Sequence, residues 1–419
     1  MSLRSAVRPH STRPELVRAT AEDMPEIAVA DGRAFGQHYS DTDVADMRTL
    51  LDPDRFLLAR EPARGASVDG RPAGPIVGIT ASYPFVVTLP AGPGIAAPGV
   101  TWVSVAVTHR RRGILRALMV EQHRGFAADG AAVSLLTASE GSIYGRFGYG
   151  TATTHRSMEI TRGRAVLAAG VPDPGGVRQV DEREARLLAP QIHRRWAAVT
   201  PGALSRSDAW WDFLRLDREQ WRHGGSALFH LVHPDGYVAY RMVPDEGTCR
   251  VVDMVAVTPE AHAALWRVLL ALDLVETITV RFGAVDDPLP HLLTDPRQVR
   301  TTGLVDGMWA RILDVPAALS ARRYTVELDV VLDVHDPFLD LGGRFRLRGG
   351  PDGAACERVG AGGPGIEVGI AALSGLLFGG RRAGTFARAG LLEASDEATL
   401  RRVDAAFLAD RAPQHGTEF

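Results

Sequence analysis

The chain has 419 residues, 45% hydrophobic and 23% charged, a globular composition long enough for two or three domains and far from that of disordered chains. Its 47 basic and 50 acidic residues are mixed along the sequence and leave a formal charge of -3, so no global basic field points to nucleic acid or to an anionic membrane. Two distant cysteines, Cys249 and Cys356, exclude a disulfide scaffold and a zinc cluster.

The start of the chain carries Arg4, Arg8, Arg13, Glu15 and Arg18 with no apolar leader core, and no later apolar run approaches ~18 residues. The expectation is a soluble cytoplasmic protein without membrane insertion, one that could also be released without a signal peptide. The sequence holds neither lysine nor asparagine, so all 47 basic residues are arginine.

Hydrophobic periodicity predicts a mixed α/β order at the start. A strand at Leu16 to Thr20 leads into Thr20-Ala-Glu-Asp23, the pattern of a capping box, which opens a helix through Phe35. A second helix is predicted from Asp41 to Leu51, followed by strands at Arg55 to Arg60, Pro75 to Val87 and, past the turn-rich Pro90 to Gly94, Val100 to Val107. A long amphipathic helix spans Arg112 to Asp129, and Ala132 to Thr137 reads as a short buried strand before a glycine-rich turn.

From Gly163 to Gly176 the composition shifts to Gly, Ala and Pro, which marks a domain boundary. Beyond it come helices at Glu182 to Trp196 and Asp208 to Arg218, and a hairpin about Pro234-Asp-Gly236. Met254-Val-Ala-Val-Thr258, followed by a helix over Glu260 to Leu272 and a strand over Thr277 to Phe282, echoes Ser104-Val-Ala-Val-Thr108 with its helix and strand. The repeat suggests tandem copies of one fold. After Thr108 the first copy has His109-Arg-Arg-Arg-Gly113, equipped to hold an anion; after Thr258 the second has Pro259-Glu-Ala-His-Ala263, which is not. The last region has strands at Tyr324 to Asp333 and Arg344 to Leu347, a glycine-rich stretch through Gly365, and helices at Ala371 to Leu377 and Glu397 to Ala409. The expected domains are 1–165, 177–314 and 315–419, the last a small α+β domain.

Two segments could carry chemistry. In the first, the strand Val103-Ser-Val-Ala-Val107 runs through Arg110-Arg-Arg-Gly113 into a helix. Free N–H groups of a first helical turn, the helix dipole and a glycine that admits close approach suit a pyrophosphate, and arginines add charge-assisted bonds. The alternative is a basic, solvated helix start. The second is Ser139-Glu-Gly-Ser-Ile-Tyr144-Gly-Arg-Phe-Gly-Tyr-Gly150, with Ser139 as a possible helix cap and no Walker ending. Its aromatics could equally be core residues about a turn.

Together these segments resemble the GNAT superfamily of acyl-CoA N-acetyltransferases. Its pattern of Arg or Gln, two residues, Gly, one residue, Gly or Ala is met by Arg110 and Gly113 and departed from at Leu115. More specifically they resemble the enhanced intracellular survival (Eis) family of actinobacterial acetyltransferases, over essentially the whole chain and including the Glu418-Phe419 ending. The resemblance implies two fused GNAT folds, of which only the first binds acetyl-CoA, then a sterol-carrier-protein-like domain.

It also implies roles. Val103 and Val105 would bond the pantetheine, and the loop Arg110, Arg111, Arg112, Gly113 and Ile114 would hold the pyrophosphate. Ser139 would lie beside the thiol end. Tyr144 would be the general acid and the C-terminal carboxylate of Phe419 the general base. Phe35, Trp102 and Trp211 would line an aromatic amine pocket, with Glu418 adding negative charge; an acidic residue of the family stands here as Gln37, and a neighbouring aromatic as Met47. Trp211 could also be a core tryptophan.

The implied activity is acetylation of primary amines on polycationic small molecules such as aminoglycosides or polyamines, in a homohexamer. The alternatives are lysine acetylation in peptides or proteins, and a lipid carrier or scaffold with a vestigial site. His38, His109, His123 and His155 show no metal-like spacing, and no metal is expected. The apolar face of Ala371 to Phe378 could line a lipid cavity, but core packing is the better account, because the resemblance implies a last domain that serves mainly to shape and complete the active site.

Overall fold

The computed structural model describes residues 13–62, 74–360, 363 and 365–419. Arg4, Arg8 and part of the glycine-rich stretch before Gly365 lie outside the described residues. The chain divides into two compact units, one holding the segment up to Tyr83 with Val100–Ala128, the other Pro84–Gly99 with Asp129–Phe419.

The first unit carries β1 (Glu15–Arg18), α1 (Met24–Phe35), α2 (Asp41–Arg48), β2 (Leu57–Arg60), most of β3 (Ile76–Thr88), the end of β4 (Gly94–Val105) and α3 (Ile114–Ala128), in the sheet order β1-β2-β3-β4. The Thr20 N–H donates to the Asp23 carboxylate at 2.7 Å, as the capping pattern predicts, and α1 ends where Gly36 turns left-handed at φ 70°. Helix α2 starts at a full capping box between Ser40 and Asp43 but stops at Arg48, short of the expected Leu51. β2 also starts late, because Asp52 caps a tight turn over Pro53–Arg55. Gly78 on β3 lets α3 approach: a Cβ there would stand 2.7 Å from Ile114 and 3.0 Å from Leu118.

The second unit begins with β5 (Val133–Thr137), α4 (Gly141–Tyr144), β6 (Gly150–Thr151) and β7 (Thr154–Thr161). It continues through β8 (Arg178–Val180), α5 (Glu182–Val199), α6 (Asp208–Leu214), β9 (Phe229–His233), β10 (Gly236–Val243), β11 (Thr248–Ala256), α7 (Pro259–Leu270), β12 (Thr277–Gly283), α8 (Leu289–Leu292), β13 (Val299–Asp306) and β14 (Met308–Ile312). A sheet of order β13-β7-β12-β11-β10-β9-β8 forms the second copy, while β14 returns to lie between β5 and β6.

The two copies therefore exchange strands. β7 pairs with β12 and β13, and β14 pairs antiparallel with β5, so the first sheet hands over to the second before β7 rather than at 165, while 314 falls just after β14, the last strand in chain order of the first sheet. A composition break reports loop chemistry, and the Gly/Pro segment after β7 is a surface connection within the second sheet rather than a boundary between sheets.

The last region holds α9 (Val315–Ala321), β15 (Leu328–His335), β16 (Gly343–Gly350), β17 (Gly353–Arg358), β18 (Gly365–Gly369), α10 (Ile370–Leu376), α11 (Ala383–Arg388), β19 (Leu392–Ala394) and α12 (Glu397–Phe407), with sheet order β17-β16-β15-β18-β19. It is α+β, as expected. Ile370, Leu373, Leu376, Leu377 and Phe378 are all buried, and α10 packs on β14 and β6. The apolar face proposed for a lipid is therefore consumed in packing. No described helix is long and apolar enough to cross a membrane.

Candidate active site

In the first unit the strand-to-helix junction has the backbone that an anion cradle needs. Trp102 interrupts β4 with φ 52°, a left-handed residue inside a strand that re-aims the peptide groups following it, those of Val103 and Val105. The loop beyond is left-handed at Arg111 (φ 62°) and Gly113 (φ 81°). Arg110, Arg111, Arg112 and Gly113 are exposed, and a Cβ at Gly113 would meet no atom within 4 Å, so the main chain is open there to a ligand. Ile114 is buried and anchors the start of α3. In the second copy β11 passes almost directly into α7, whose first turn is closed by Pro259 and by the Thr258 hydroxyl accepting from Ala261 N–H at 3.2 Å. The loop that would hold an anion is missing, as the sequence contrast predicts.

The aromatic residues of this unit are partly assembled. Trp102 stands between Tyr39 and Phe56, with ring centroids 5.9 and 5.8 Å away. Phe35, at the end of α1, is 48% exposed, and Gln37 and Met47 lie on the neighbouring surface segments. Arg110 donates to Ala34 O at 3.3 Å, tying the loop to the end of α1 beside Phe35. Sequence reasoning passed over Asp31, which is buried on α1 and accepts from the Tyr39 hydroxyl at 3.0 Å. Burial raises its pKa above the ordinary carboxyl value. The only available signal was an acidic residue on the apolar side of an amphipathic helix.

In the second unit the chain terminus is fixed along its length. Ala412 N–H donates to Asp286 at 2.7 Å, Gln414 N–H to Pro201 O at 2.9 Å, and Leu204 N–H to His415 O at 3.1 Å. Arg206 then grips the next two residues, donating from Nε to the Thr417 hydroxyl at 2.9 Å and from Nη2 to Gly416 O. Its Nη1 donates to Asp253 at 2.6 Å. Gly416 is left-handed at φ 69°, and a Cβ there would strike the Trp196 ring at 2.6 Å. Chain ends usually fray; this one is held by backbone, side-chain and ring contacts.

Phe419 itself is seated on both sides. Its carboxyl oxygen accepts from the Thr137 hydroxyl at the end of β5. Its ring meets Phe85 edge-on at 4.8 Å, and Phe85 meets Trp210 at 5.3 Å. Gly99 makes the space, since a Cβ there would lie 2.7 Å from the Phe419 ring and 2.6 Å from Phe85. Glu418 Oε1 lies 2.8 Å from His155 Nε2 and 2.9 Å from His415 Nε2. Burial opposes its charge, but these two contacts hold its carboxyl well below the usual range.

The tryptophan in contact with Phe85 is thus Trp210. Trp211 packs against His193 and Tyr237, with the guanidinium groups of Arg206 and Arg215 at 4.8 and 5.4 Å from its ring. Adjacent helical residues point about 100° apart, and sequence alone could not assign which faced the terminus. Both tryptophans line a cavity of about 540 Å³ in the second copy, shared with Arg206, Asp253, His155 and Glu418. It opens where β11 and β12, paired in parallel from Thr248/Thr277 to Val251/Val280, diverge.

The glycine-rich motif after β5 is packed rather than open at its core. Ser139 is exposed and is not the cap it could have been: Glu140 takes the N-cap position of α4, without a side-chain capping bond. Tyr144 is buried beside Tyr149, ring centroids 6.1 Å apart. Burial, and then the Glu140 carboxylate, push its phenol up to about 12. Tyr149 lies 2.8 Å from the Ser134 hydroxyl. A Cβ on Gly148 would meet the Arg311 guanidinium at 1.5 Å, and one on Gly150 would meet Ala371 O at 1.9 Å. These two glycines admit the buried Arg311 and helix α10.

Comparison with known proteins bears on what this geometry is for. Residues 15–152 and 202–312 each match an acetyltransferase (GNAT) domain family, and residues 315–415 match a sterol carrier protein domain. The first match stops just before β7, where the strand exchange begins. The chain is 39% identical over 412 residues to N-acetyltransferase Eis of Mycobacterium tuberculosis, covering 96% of this chain and 99% of that one. The crystal structure of Eis1 from Mycobacterium abscessus superposes with a TM-score of 0.83 at 33% identity, covering 97% of this chain and all of the other. A GCN5-related N-acetyltransferase from Anabaena variabilis shares the fold, with a TM-score of 0.81 at 20% identity over 97% of this chain.

Proposed function

Because the chain belongs to the Eis family of GNAT N-acetyltransferases, we propose that it transfers the acetyl group of acetyl-CoA to primary amines of polycationic small molecules such as aminoglycosides, with Tyr144 as general acid and the Phe419 carboxylate as general base. The observation that carries this reading is the terminus itself: a carboxylate fixed by Thr137, with its ring seated between Gly99 and Phe85.

The chemistry follows from the groups present. The exposed Arg110–Gly113 loop, left-handed at two positions, offers N–H groups and guanidinium groups to the pyrophosphate of acetyl-CoA. The re-aimed strand after Trp102 offers Val103 and Val105 peptides to the pantetheine, and exposed Ser139 is free of a capping task. A protonated substrate amine is drawn by Glu418 and Phe419 and loses a proton to the Phe419 carboxylate, directly or through water. The amine nitrogen then bonds to the thioester carbon, the carbon–sulfur bond breaks, the departing thiolate takes the phenolic proton of Tyr144, and the second proton lost by the new amide nitrogen returns through water to the Tyr144 phenolate. A phenol held near 12 stays protonated at neutral pH and so serves as an acid, not a base. The same reading gives substrate-facing roles to Phe35, Gln37, Trp102 and Trp211, and the contact of Trp210 with Phe85 supports adding Trp210. Assembly as a homohexamer belongs to the same reading.

The test is release of CoA thiol from acetyl-CoA with a panel of aminoglycosides, polyamines and lysine peptides, comparing the full chain with one lacking Phe419. With no lysine in the chain, self-acetylation of side chains adds no background. Release that needs an amine and falls at least a hundredfold in the truncated chain, with acetyl-CoA binding retained, is expected. Equal turnover without Phe419 would remove it from the mechanism, and preference for lysine peptides would favour protein acetylation.

A further inference from the structure

The tail that carries Phe419 also gathers three side chains of metal-ligating type from distant parts of the sequence. His155 comes from β7, and His415 and Glu418 from the last five residues. Their ligand atoms all lie within 4.8 Å of one another, and both imidazole Nε2 atoms face the same Glu418 oxygen, at 2.8 and 2.9 Å. The two rings are 2% and 0% exposed, with centroids 4.5 Å apart.

We propose that His155, His415 and Glu418 form a binding site for a divalent transition-metal ion of the zinc type, and that filling it inhibits the enzyme. Two imidazoles and one carboxylate are a ligand set for zinc and its neighbours. Ligands at about 2.0–2.1 Å from a tetrahedral ion lie roughly 3.3 Å apart, so the two contacts to Glu418 widen by about half an ångström while the two imidazole nitrogens, up to 4.8 Å apart, draw together. His415 has the support that metal-bound histidines use: its Nδ1 lies 3.0 Å from the Thr153 hydroxyl, which also accepts from Met308 N–H at 2.8 Å. Phe282 packs edge-on against His155 at 5.0 Å and fixes its ring. The fourth position is open to solvent, because the Glu418 side chain is 44% exposed and, like His155, lines the cavity of about 540 Å³. That cavity is the entry path.

Binding stands on this geometry alone; inhibition rests on the proposed role of Phe419. An ion there occupies the Glu418 carboxylate and sets two positive charges beside the terminal carboxylate, which repels a cationic amine and weakens the base.

The test uses the full chain. Equilibrium dialysis with Zn²⁺, and the visible absorption of Co²⁺ as a geometry-sensitive stand-in, should give one ion per chain, tightly enough to survive passage through a desalting column. His155→Gln and Glu418→Gln should each weaken binding by tenfold or more and change the Co²⁺ spectrum, with circular dichroism checking that each variant is folded. CoA release should fall as Zn²⁺ is added, recover with a chelator, and need at least tenfold more Zn²⁺ in His155→Gln. Absence of stoichiometric binding, or binding and spectrum unchanged in both variants, overturns the site. Stoichiometric binding that depends on His155 with turnover unaffected overturns the inhibition alone. A preparation without any acetyltransferase activity counts against the proposed function and leaves the dialysis and Co²⁺ results to decide the site.

Discussion

The Thr137 hydroxyl donates to the carboxyl oxygen of Phe419 across 282 positions of sequence. Beside it, Gly99 leaves room for the ring, a Cβ there being 2.7 Å from Phe419 and 2.6 Å from Phe85. These are separable supports. Thr137→Val keeps the shape and removes one charge-assisted bond, so kcat should fall by about tenfold, equivalent to ~1.4 kcal/mol. Gly99→Ala displaces the ring and should cost more. Steady-state kinetics beside acetyl-CoA affinity checks both; an effect confined to affinity would count against a base held by Thr137.

Arg206 joins the tail to the second copy. It is nearly buried, donates to Asp253 and also to the Tyr237 hydroxyl at 3.1 Å, and bonds Thr417 and Gly416. The cation beside Asp253 holds that buried carboxyl below its ordinary value against the effect of burial. Arg206→Met strands the carboxylate and should destabilise the fold by ~3–5 kcal/mol. Arg206→Met combined with Asp253→Asn should recover much of that in chemical denaturation. It should not recover turnover, because the tail contacts stay lost. Recovery of both would reduce Arg206 to a fold element.

Much of this was readable from residues because the signals were local. The capping pattern at Thr20, the repeat of Val-Ala-Val-Thr, and the Arg110–Gly113 loop each depend on a few consecutive side chains, and all stand where expected. What failed depended on distant partners. The strand exchange of β7 and β14 leaves no mark in composition, because a buried strand looks alike in either sheet. Gly148 is the left-handed turn residue its motif suggests, but that its absent side chain, and that of Gly150, make way for Arg311 and α10, from more than a hundred residues away, could not be read locally. Likewise, spacing could not reveal the contact of His155 with Glu418, which lies 263 positions on.

Tyr144 should act as an acid over the whole working range. Burial and the Glu140 carboxylate push its phenol up to about 12, so it remains protonated to at least pH 10. Tyr144→Phe preserves the contact with Tyr149 and removes the proton, and kcat should fall about a hundredfold with acetyl-CoA binding kept. The wild-type kcat profile should show no alkaline decline below pH 10 from this group, because losing its proton there is unfavourable. An alkaline limb near pH 8 that vanishes in Tyr144→Phe would contradict the raised pKa.

His193 makes stability depend on acid. It is buried on α5 against Trp196 and Trp211, with ring centroids 5.3 and 5.5 Å away. Burial first, and then the Arg206 charge, hold its pKa down to about 3, with Asp253 opposing them. The ring is therefore neutral in the folded chain, while in the unfolded chain it takes a proton below about pH 6.5. The unfolded state binds the extra proton, so stability falls as pH drops from about 6.5 toward 3. The slope approaches ~1.4 kcal/mol per pH unit from this one group. His193→Phe keeps an aromatic ring between the two tryptophans and cannot take the proton. Urea denaturation at a series of pH values between 6.5 and 4.5 should give a shallower loss for the variant than for the wild type. Matching slopes would show that acid acts elsewhere.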